Sequence, residues 1–209
     1  MTPQTHWNTI YRTKSASEVS WFQEHALRSL DFIRRTQVPP TGRIIDVGGG
    51  ASTLVDDLLL AGYTDITVAD ISGAALDVAR TRLGSLADRV TWLEADITRA
   101  ALPADAYDIW HDRAVFHFLT DTADRARYVA QVRRAVKSGG HVIIATFATD
   151  GPSQCSGLPV VQYQPETLHA EFGDDFQLTE SLQEAHVTPA GSEQRFVYCY
   201  CRMEPSAAP

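Results

Sequence analysis

The sequence predicts an α/β fold built on a doubly wound, mainly parallel sheet, and three observations lead to this prediction. Apolar segments typical of strands alternate with segments of helical spacing along most of the 209 residues. One strand-like segment, Ile44 to Val47, runs directly into the glycine turn Gly48-Gly49-Gly50. The last two strand-like segments are separated only by Val187 to Gly191. A connection that short allows antiparallel pairing but not a parallel crossover.

The expected elements follow one another in a regular order. Apolar residues between Ser20 and Gln37 recur at helical spacing, and Arg34 and Arg35 stand where cations suit the C-terminus of a helix. Further strands are expected at 64–70, 90–96, 107–111 and 141–147, with helices at 53–61, 73–83 and 121–136 between them. Segments 174–186 and 192–203 would form the closing hairpin. The glycine- and proline-rich segment 149–160 is expected to be a loop.

Polar residues mark the carboxyl ends of the first three strands, where ligands bind in an open parallel sheet. The glycine turn lets the backbone approach a ligand closely and leads into a helix whose first N–H groups are unpaired. Asp70 ends the second strand, at roughly the offset where an acidic residue meets a ribose in such folds. Asp96 ends the third strand. The pattern favours a nucleotide-type ligand.

With these residues, and with Ser138-Gly139-Gly140 before a fifth strand, the chain resembles the class I S-adenosylmethionine-dependent methyltransferases over about His6 to Met203. The resemblance implies a Rossmann-like sheet of seven strands with a reversed C-terminal hairpin strand, and S-adenosylmethionine as cofactor. It places the methionine part of the cofactor over Gly48 and Gly50. The cofactor-binding residues that it implies are Asp46, Gly48, Gly49, Gly50, Ser52, Asp70, Ile71, Asp96 and Ile97.

Within that resemblance, Asp70 would bind the ribose hydroxyls and Asp96 the adenine amino group. The chain departs from the commoner Gly-x-Gly-x-Gly turn at Ser52, which stands where the third glycine is usual. A serine can cap the following helix, so we expect the turn to keep its function.

Candidate catalytic residues follow the fourth strand, on the side where the family places its acceptor. They are Asp112, Arg113 and His117. His117 is the best candidate for a general base, because an unperturbed imidazole titrates near pH ~6.5. Two alternatives stay open at this point. His117 could only hydrogen-bond within a loop, and Asp112 could pair with Arg113 as a structural clamp.

The amino-terminal segment is aromatic and is similar to the segment that precedes the fold in citrate synthase and elongation factor lysine methyltransferases. Aromatic faces suit a sulfonium cation and exclude water, which favours a lid role. Tyr11, Trp21 and Gln23 are the contacts expected with cofactor or substrate. The alternative is that Trp7 and the other aromatic residues only cover the sheet.

Two residues are candidates for acceptor binding. Cys155 lies in the expected loop after the fifth strand, and Arg195 in the closing hairpin could hold a carboxylate. Cys155, Cys199 and Cys201 could together hold a soft metalloid such as arsenite, although free cysteines are more often small core residues. No resident metal ion is predicted.

Composition limits the remaining possibilities. The formal charge of −8 argues against a broad nucleic-acid surface. No apolar run is long enough to span a bilayer and the N-terminus lacks a signal pattern, so we expect a cytoplasmic location without membrane association. The expected organisation is a lid segment at 1–40, a methyltransferase domain at 41–203 and a disordered tail at 204–209. Oligomeric state is left open.

Three functions fit these observations. The preferred one is methyl transfer to an N, O or S nucleophile on a small molecule, because a single compact domain offers few additions for docking a large partner. The second is methylation of a protein lysine. The third is a binding domain that keeps the cofactor fold without catalysis, since a fold does not fix a function.

Overall fold

The computed structural model of the protein describes residues 2–204, and its centre is a seven-stranded sheet in the order β3-β2-β1-β4-β5-β9-β8. The first five strands run parallel, whereas β9 pairs antiparallel with both β5 and β8. The predicted fold class is therefore confirmed. The strands are β1 Arg43–Val47, β2 Asp65–Asp70, β3 Val90–Glu94, β4 Tyr107–Arg113, β5 Val136–Phe147, β8 Phe176–Val187 and β9 Glu193–Met203. A two-stranded hairpin follows β5: β6 Gln154–Cys155 and β7 Leu158–Pro159.

Six α-helices accompany the strands in the described part of the chain. Their local sequences supply several caps: Thr2 accepts a hydrogen bond from Thr5, Ser72 from Ala75, and Asp121 from Ala123, which satisfies N–H groups that a helix start leaves unpaired. The helices are α1 Pro3–Thr13, α2 Leu27–Arg35, α3 Leu54–Leu60, α4 Gly73–Leu83, α5 Thr122–Ala135 and α6 Pro165–Phe172.

The sheet is buried on both faces, as a doubly wound fold requires. One apolar cluster contains Trp110 and Tyr128, from β4 and α5. The other contains Phe32 from α2 and Leu58 from α3. This packing fixes the carboxyl ends of β1, β2, β3 and β4 along one edge, where the parallel register places Val47 beside both Ala69 and Asp112.

The helix expected from Ser20 to Gln37 begins only at Leu27. The preceding residues hydrogen-bond to other elements instead of to one another. The Ala26 N–H donates to the Asp57 carboxylate, and the Gln23 carbonyl accepts from the Thr53 hydroxyl. The first part of the predicted helix is therefore an irregular segment that hydrogen-bonds to α3 and to the residue before it.

Two helices and part of a strand were not expected. Both α1 and α6 begin with a proline, which is well suited to the first turn of a helix. The fifth strand begins at Val136 instead of His141, so Ser138-Gly139-Gly140 lies inside it. Gly139 adopts a φ of +73°, and the pairing of β4 with β5 shifts register near it, between Tyr107 and Ile109.

Two regional expectations concern the membrane and the C-terminus. Within residues 2–204 no helix is long and apolar enough to cross a bilayer. Of the tail expected at 204–209, residues 205–209 lie outside the described part of the chain.

Candidate cofactor and acceptor site

The glycine turn after β1 is shaped by close contacts that exclude a side chain. Gly48 has a φ of +70°, and a Cβ on it would lie 2.0 Å from a methyl carbon of Val115. A Cβ on Gly50 would lie 2.5 Å from Asp70 Oδ2. The hydroxyl of Ser52 accepts a hydrogen bond from the Leu54 N–H at 3.1 Å, at the start of α3. Ser52 therefore satisfies one N–H at the start of α3, although the N-cap position of that helix is occupied by Thr53.

A buried polar network lies under this turn. Asp46 Oδ1 contacts His111 Nδ1 at 2.7 Å, and His111 Nε2 contacts Ser29 Oγ at 2.8 Å. All three residues are buried. Asp46 Oδ2 is also buried but has no hydrogen-bond partner among the described residues. Asp46, Gly49 and Ser52 border a small recess of about 50 Å³, so an unsatisfied carboxylate oxygen at this recess fits a positively charged group such as the cofactor's ammonium.

Asp70 joins the turn to the end of β2. Its two carboxylate oxygens accept the Gly50 N–H at 3.0 Å and the Ser72 N–H at 2.8 Å. Burial raises the pKa of Asp70 to about 6, while these two backbone hydrogen bonds act in the opposite direction. Asp70 lines the main cavity. A carboxylate held in this way can accept hydrogen bonds from the hydroxyls of a ribose.

The main cavity has a volume of about 370 Å³ and runs along the carboxyl edge of the sheet. Ile71, Asp96 and Ile97 line it beside Asp70. Asp96 Oδ1 accepts hydrogen bonds from both the N–H and the hydroxyl of Thr98, which fixes the side chain in place. The structure thus brings the predicted ribose and adenine residues to one cavity, and Gly48 borders both the cavity and the recess.

An aromatic wall closes the other side of the cavity. Trp7 from α1 lies edge-to-face against Trp21 at 5.8 Å and against Phe118 at 5.0 Å, measured between ring centroids. Tyr11, one turn further along α1, lies 6.3 Å from Trp21. Desolvation of its hydroxyl group by the surrounding residues, followed by the charge of Asp70, raises the pKa of Tyr11. Tyr11 and Trp21 border both spaces, whereas Gln23 borders only the recess.

The helix that carries part of this wall is attached by polar contacts. Asn8 Oδ1 accepts hydrogen bonds from the Ser72 hydroxyl and the Ala74 N–H, at the start of α4. Gln4 donates to Glu94. None of the residues of α1 is buried. The helix therefore covers the cavity without belonging to the core.

Asp112 does not line the cavity, and the catalytic role predicted for it gains no support. Its carboxylate accepts hydrogen bonds from the Tyr128 hydroxyl and from the N–H groups of Val115 and Phe116. Burial raises the pKa of Asp112 to about 6. These contacts hold the turn after β4 in place. The alternative clamp with Arg113 does not form either, because neighbouring side chains of a strand point to opposite faces.

Arg113 does border both the cavity and the recess. Its Nε donates to the Tyr198 hydroxyl and its Nη1 to the Trp21 carbonyl, each at 3.2 Å. The guanidinium also lies 4.2 Å from the ring centroid of Phe196. The structure therefore supports a ligand contact for Arg113 and not for Asp112.

His117 lies next to the site but borders neither the cavity nor the recess. Its ring is buried against Phe118 and Phe147, and Nδ1 accepts the Phe147 N–H at 3.2 Å. Burial, and secondarily the charge of Arg113, lowers the pKa of His117 to about 3. A base that weak and that enclosed is poorly suited to deprotonate an acceptor, so the geometry favours the alternative of a structural histidine.

The three cysteines do not converge. Cys155, in β6, lines the cavity, and burial raises the pKa of its thiol to about 11. Cys199 and Cys201 lie with their sulfurs 3.3 Å apart in the apolar cluster on the other side of the sheet. Among residues 2–204 no group of three His, Cys, Asp or Glu side chains could hold a metal ion. The hypothesis of a three-thiol metalloid site is therefore wrong.

Arg195 lies outside both spaces. Its guanidinium is paired with Glu193 at 2.9 Å in the exposed hairpin. Trp7 was expected in the aromatic segment but not as a ligand contact, and Phe118, Leu158 and Pro159 were not expected at the site. The spacing of Trp7 and Tyr11, four residues apart, was the available sign that both lie on one face of a helix.

Comparison with known proteins agrees with this geometry. A family model described as a methyltransferase domain matches residues 44–140. The eEF1A lysine and N-terminal methyltransferase of Bos taurus is 24% identical over 149 residues, which are 68% of this chain but only 21% of that protein. The human EEF1A lysine methyltransferase 2 is 21% identical over 85% of this chain and 75% of its own length. This chain spans about a fifth of the length of the curated relatives that match first.

Solved structures show the same fold. One comes from a study of the conversion of a disulfide bond into a thioacetal group during echinomycin biosynthesis, with a TM-score of 0.78, 14% identity and coverage of 99% of this chain and 94% of the other. A phosphoethanolamine N-methyltransferase 2 of Haemonchus contortus, in complex with S-adenosyl-L-methionine, has a TM-score of 0.65 at 16% identity, covering 87% of this chain and 53% of the other.

The fold, the glycine turn and these matches agree: residues 44–140 match a methyltransferase domain, and the chain has the Rossmann-like fold of the class I S-adenosylmethionine-dependent methyltransferases. Its cofactor is S-adenosylmethionine. The residues at the recess and the cavity fit that cofactor, since Asp46 at the recess keeps a carboxylate oxygen for a cation and Asp70 at the cavity presents acceptors for hydroxyl groups.

Proposed function

We propose that this methyltransferase acts on a small-molecule acceptor bound in the main cavity between the cofactor residues and the aromatic wall. The observation that carries the proposal is the continuity of that cavity. It runs from Asp70 and Asp96 to Trp7, Trp21 and Phe118, under the cover of α1. An acceptor held there would be enclosed largely by apolar surface, which is typical of small-molecule sites.

The cofactor supplies the methyl group and the sulfonium charge, and the chain supplies position and exclusion of water. Asp46, Asp70 and Asp96 would hold the ammonium, the ribose and the adenine respectively. Trp7, Tyr11 and their aromatic neighbours would keep solvent from the methyl carbon. Because methyl transfer is an in-line displacement, positioning of this kind accounts for much of the rate that an enzyme adds.

The proposed role of Trp21 and Tyr11 is to face both ligands, since both side chains border the cavity and the recess. Cys155, Leu158 and Pro159 form the acceptor side of the rim. At neutral pH the Cys155 thiol stays protonated, because its pKa is raised to about 11. Cys155 would therefore contact the acceptor by packing and not as a thiolate.

The test is turnover on a panel of small amines, thiols and hydroxylated aromatics, measured as formation of S-adenosylhomocysteine. We expect at least one member to be methylated, and Trp21→Ala to lower kcat/KM by roughly 10- to 100-fold through loss of acceptor packing. Trp92→Ala is the matched control, because Trp92 lies on β3 away from both spaces. Equal losses in the two variants, or no turnover across the panel, would count against the proposal.

A second candidate, methylation of a protein lysine, is favoured by one observation. The human EEF1A lysine methyltransferase 2 matches 85% of this chain and 75% of its own length. Incubating the protein with lysates and radiolabelled S-adenosylmethionine would detect it. Label in a protein band, absent with the Trp21→Ala variant, would move the acceptor assignment from small molecules to proteins.

A further inference from the structure

Arg113 has a guanidinium nitrogen without a hydrogen bond in the described part of the chain, and its charge is only weakly paired, at the edge of the proposed acceptor space. Its side chain is 10% exposed, and Nη2 has no hydrogen-bond partner among the described residues. The nearest carboxylate oxygen, Oε2 of Glu184, lies 4.0 Å away and already accepts a hydrogen bond from the Tyr198 hydroxyl. A buried guanidinium N–H without an acceptor is costly, so native structures rarely keep one without a purpose.

The other contacts of Arg113 hold it rigidly. Two neutral oxygens, those of Tyr198 and Trp21, accept from Nε and Nη1, and the guanidinium lies over the ring of Phe196. These contacts fix the plane of the guanidinium without neutralising its charge. Such a pre-organised fork suits a carboxylate, which guanidinium groups bind with directional, charge-assisted hydrogen bonds.

The electrostatic surroundings reflect the positive charge of Arg113. Among the described residues that line the cavity and the recess, Arg113 is the one arginine, and no lysine is present. Its charge contributes to the lowered pKa values of His117 and His186, after burial in both cases. The same two spaces are also lined by Asp46, Asp70, Asp96 and Asp124. Among the described lining residues, Arg113 is therefore the one permanently charged side chain that can form an ion pair with an anionic ligand.

The topology indicates which ligand this charge meets. The predicted cofactor residues follow β1, β2 and β3, on one side of the glycine turn. Arg113 ends β4 and is held by Tyr198 and Phe196 of β9, on the opposite side. Arg113 borders the recess beside Asp46 as well as the cavity, so its two candidate partners are the carboxylate of the cofactor and that of the acceptor. Its contacts with β9, away from β2 and β3, favour the acceptor.

We propose that Arg113 binds the carboxylate of the methyl acceptor, and hence that the acceptor is an anionic small molecule. This inference rests on the proposed function, because it takes the cavity to be the acceptor site. Arg113 then determines the specificity for the acceptor. The negative charge of Glu184, 4.0 Å from Nη2, weakens the binding of the anion.

The experiment uses two isosteric probes, benzoate and benzamide, on the protein saturated with S-adenosylhomocysteine, with affinities measured by calorimetry. We expect benzoate to bind the wild type at least about tenfold more tightly, the size typical of one charge-assisted hydrogen bond. Arg113→Gln should abolish that preference and change the affinity for S-adenosylhomocysteine by less than about threefold. Glu184→Gln should strengthen benzoate binding, and Arg133→Gln, on the surface of α5, should change nothing.

Three results would overturn the proposal: no benzoate binding to the wild type, equal binding of the two probes, or a preference that survives Arg113→Gln. If Arg113→Gln instead weakens S-adenosylhomocysteine tenfold or more and leaves the probe preference intact, Arg113 binds the carboxylate of the cofactor. The proposed function is tested separately: it fails if proteins and not small molecules are methylated. The preference for benzoate is a binding measurement and does not depend on that result.

Discussion

The site has two halves. In the cofactor half, the predicted cofactor residues follow the ends of three neighbouring strands, whereas in the proposed acceptor half the aromatic wall takes Trp7, Trp21 and Phe118 from three separate segments of the chain. In the cofactor half, backbone N–H groups of Gly50 and Ser72 fix Asp70, so the geometry follows from a short stretch of sequence. In the acceptor half, contacts such as that of Arg113 with Tyr198 join residues far apart in the chain. The geometry around Asp70 is therefore set by local sequence, whereas that around Arg113 depends on contacts between distant segments.

The largest effect that would sharpen this contrast concerns Asp70. We expect Asp70→Ala to weaken S-adenosylhomocysteine by roughly 100-fold or more, because two charge-assisted hydrogen bonds to the ribose would be lost. Calorimetry measures this change. Asp77→Ala on the exposed surface of α4 is the control and should bind as the wild type does. An unchanged affinity in Asp70→Ala would remove the ribose assignment.

A smaller effect is expected from pH. In the free protein the pKa of Asp70 is raised to about 6, so the group is protonated at pH 5 and offers one acceptor fewer. Affinity for S-adenosylhomocysteine should therefore fall by about tenfold between pH 7 and pH 5. Stability moves the other way: a raised carboxyl pKa favours the folded state at low pH and loses that contribution as pH rises from about 4 to about 6. Asp70→Asn should remove the pH dependence of binding, and its persistence would assign that dependence to another group.

The smallest effect concerns the enclosed histidine. We expect His117→Asn to keep kcat within about threefold, because the ring neither borders the cavity nor titrates near neutral pH. The free energy of unfolding should fall by about 1–2 kcal/mol through the weakened hydrogen bond with Phe147, as measured by urea denaturation. His141→Asn, in the middle of β5, serves for comparison. A 100-fold loss of kcat in a stable His117→Asn protein would restore the general-base hypothesis.

The sequence predicted the doubly wound sheet, the closing hairpin and the order of the cofactor residues, because glycine turns and strand-end carboxylates are local patterns. It overextended the helix before β1, since residues in the segment from Ser20 to Ala26 hydrogen-bond to distant parts of the chain, as Ala26 does to Asp57 and Gln23 to Thr53. It also treated Asp112 and Arg113 alike. Asp112 is enclosed by a partner in α5, whereas Arg113 borders the cavity beside β9. This difference depends on strand pleating and on distant partners, which no local pattern reveals.

The attachment of α1 has a consequence for the local stability of the molecule. The helix buries none of its residues and is tied to α4 mainly through Asn8, so releasing it disrupts few interactions compared with opening any strand of the sheet. Its backbone amides should therefore exchange with solvent deuterium much sooner than those of β1 or β4. The cover of the cavity is thus the part of the fold that can detach and return while the rest of the protein stays native.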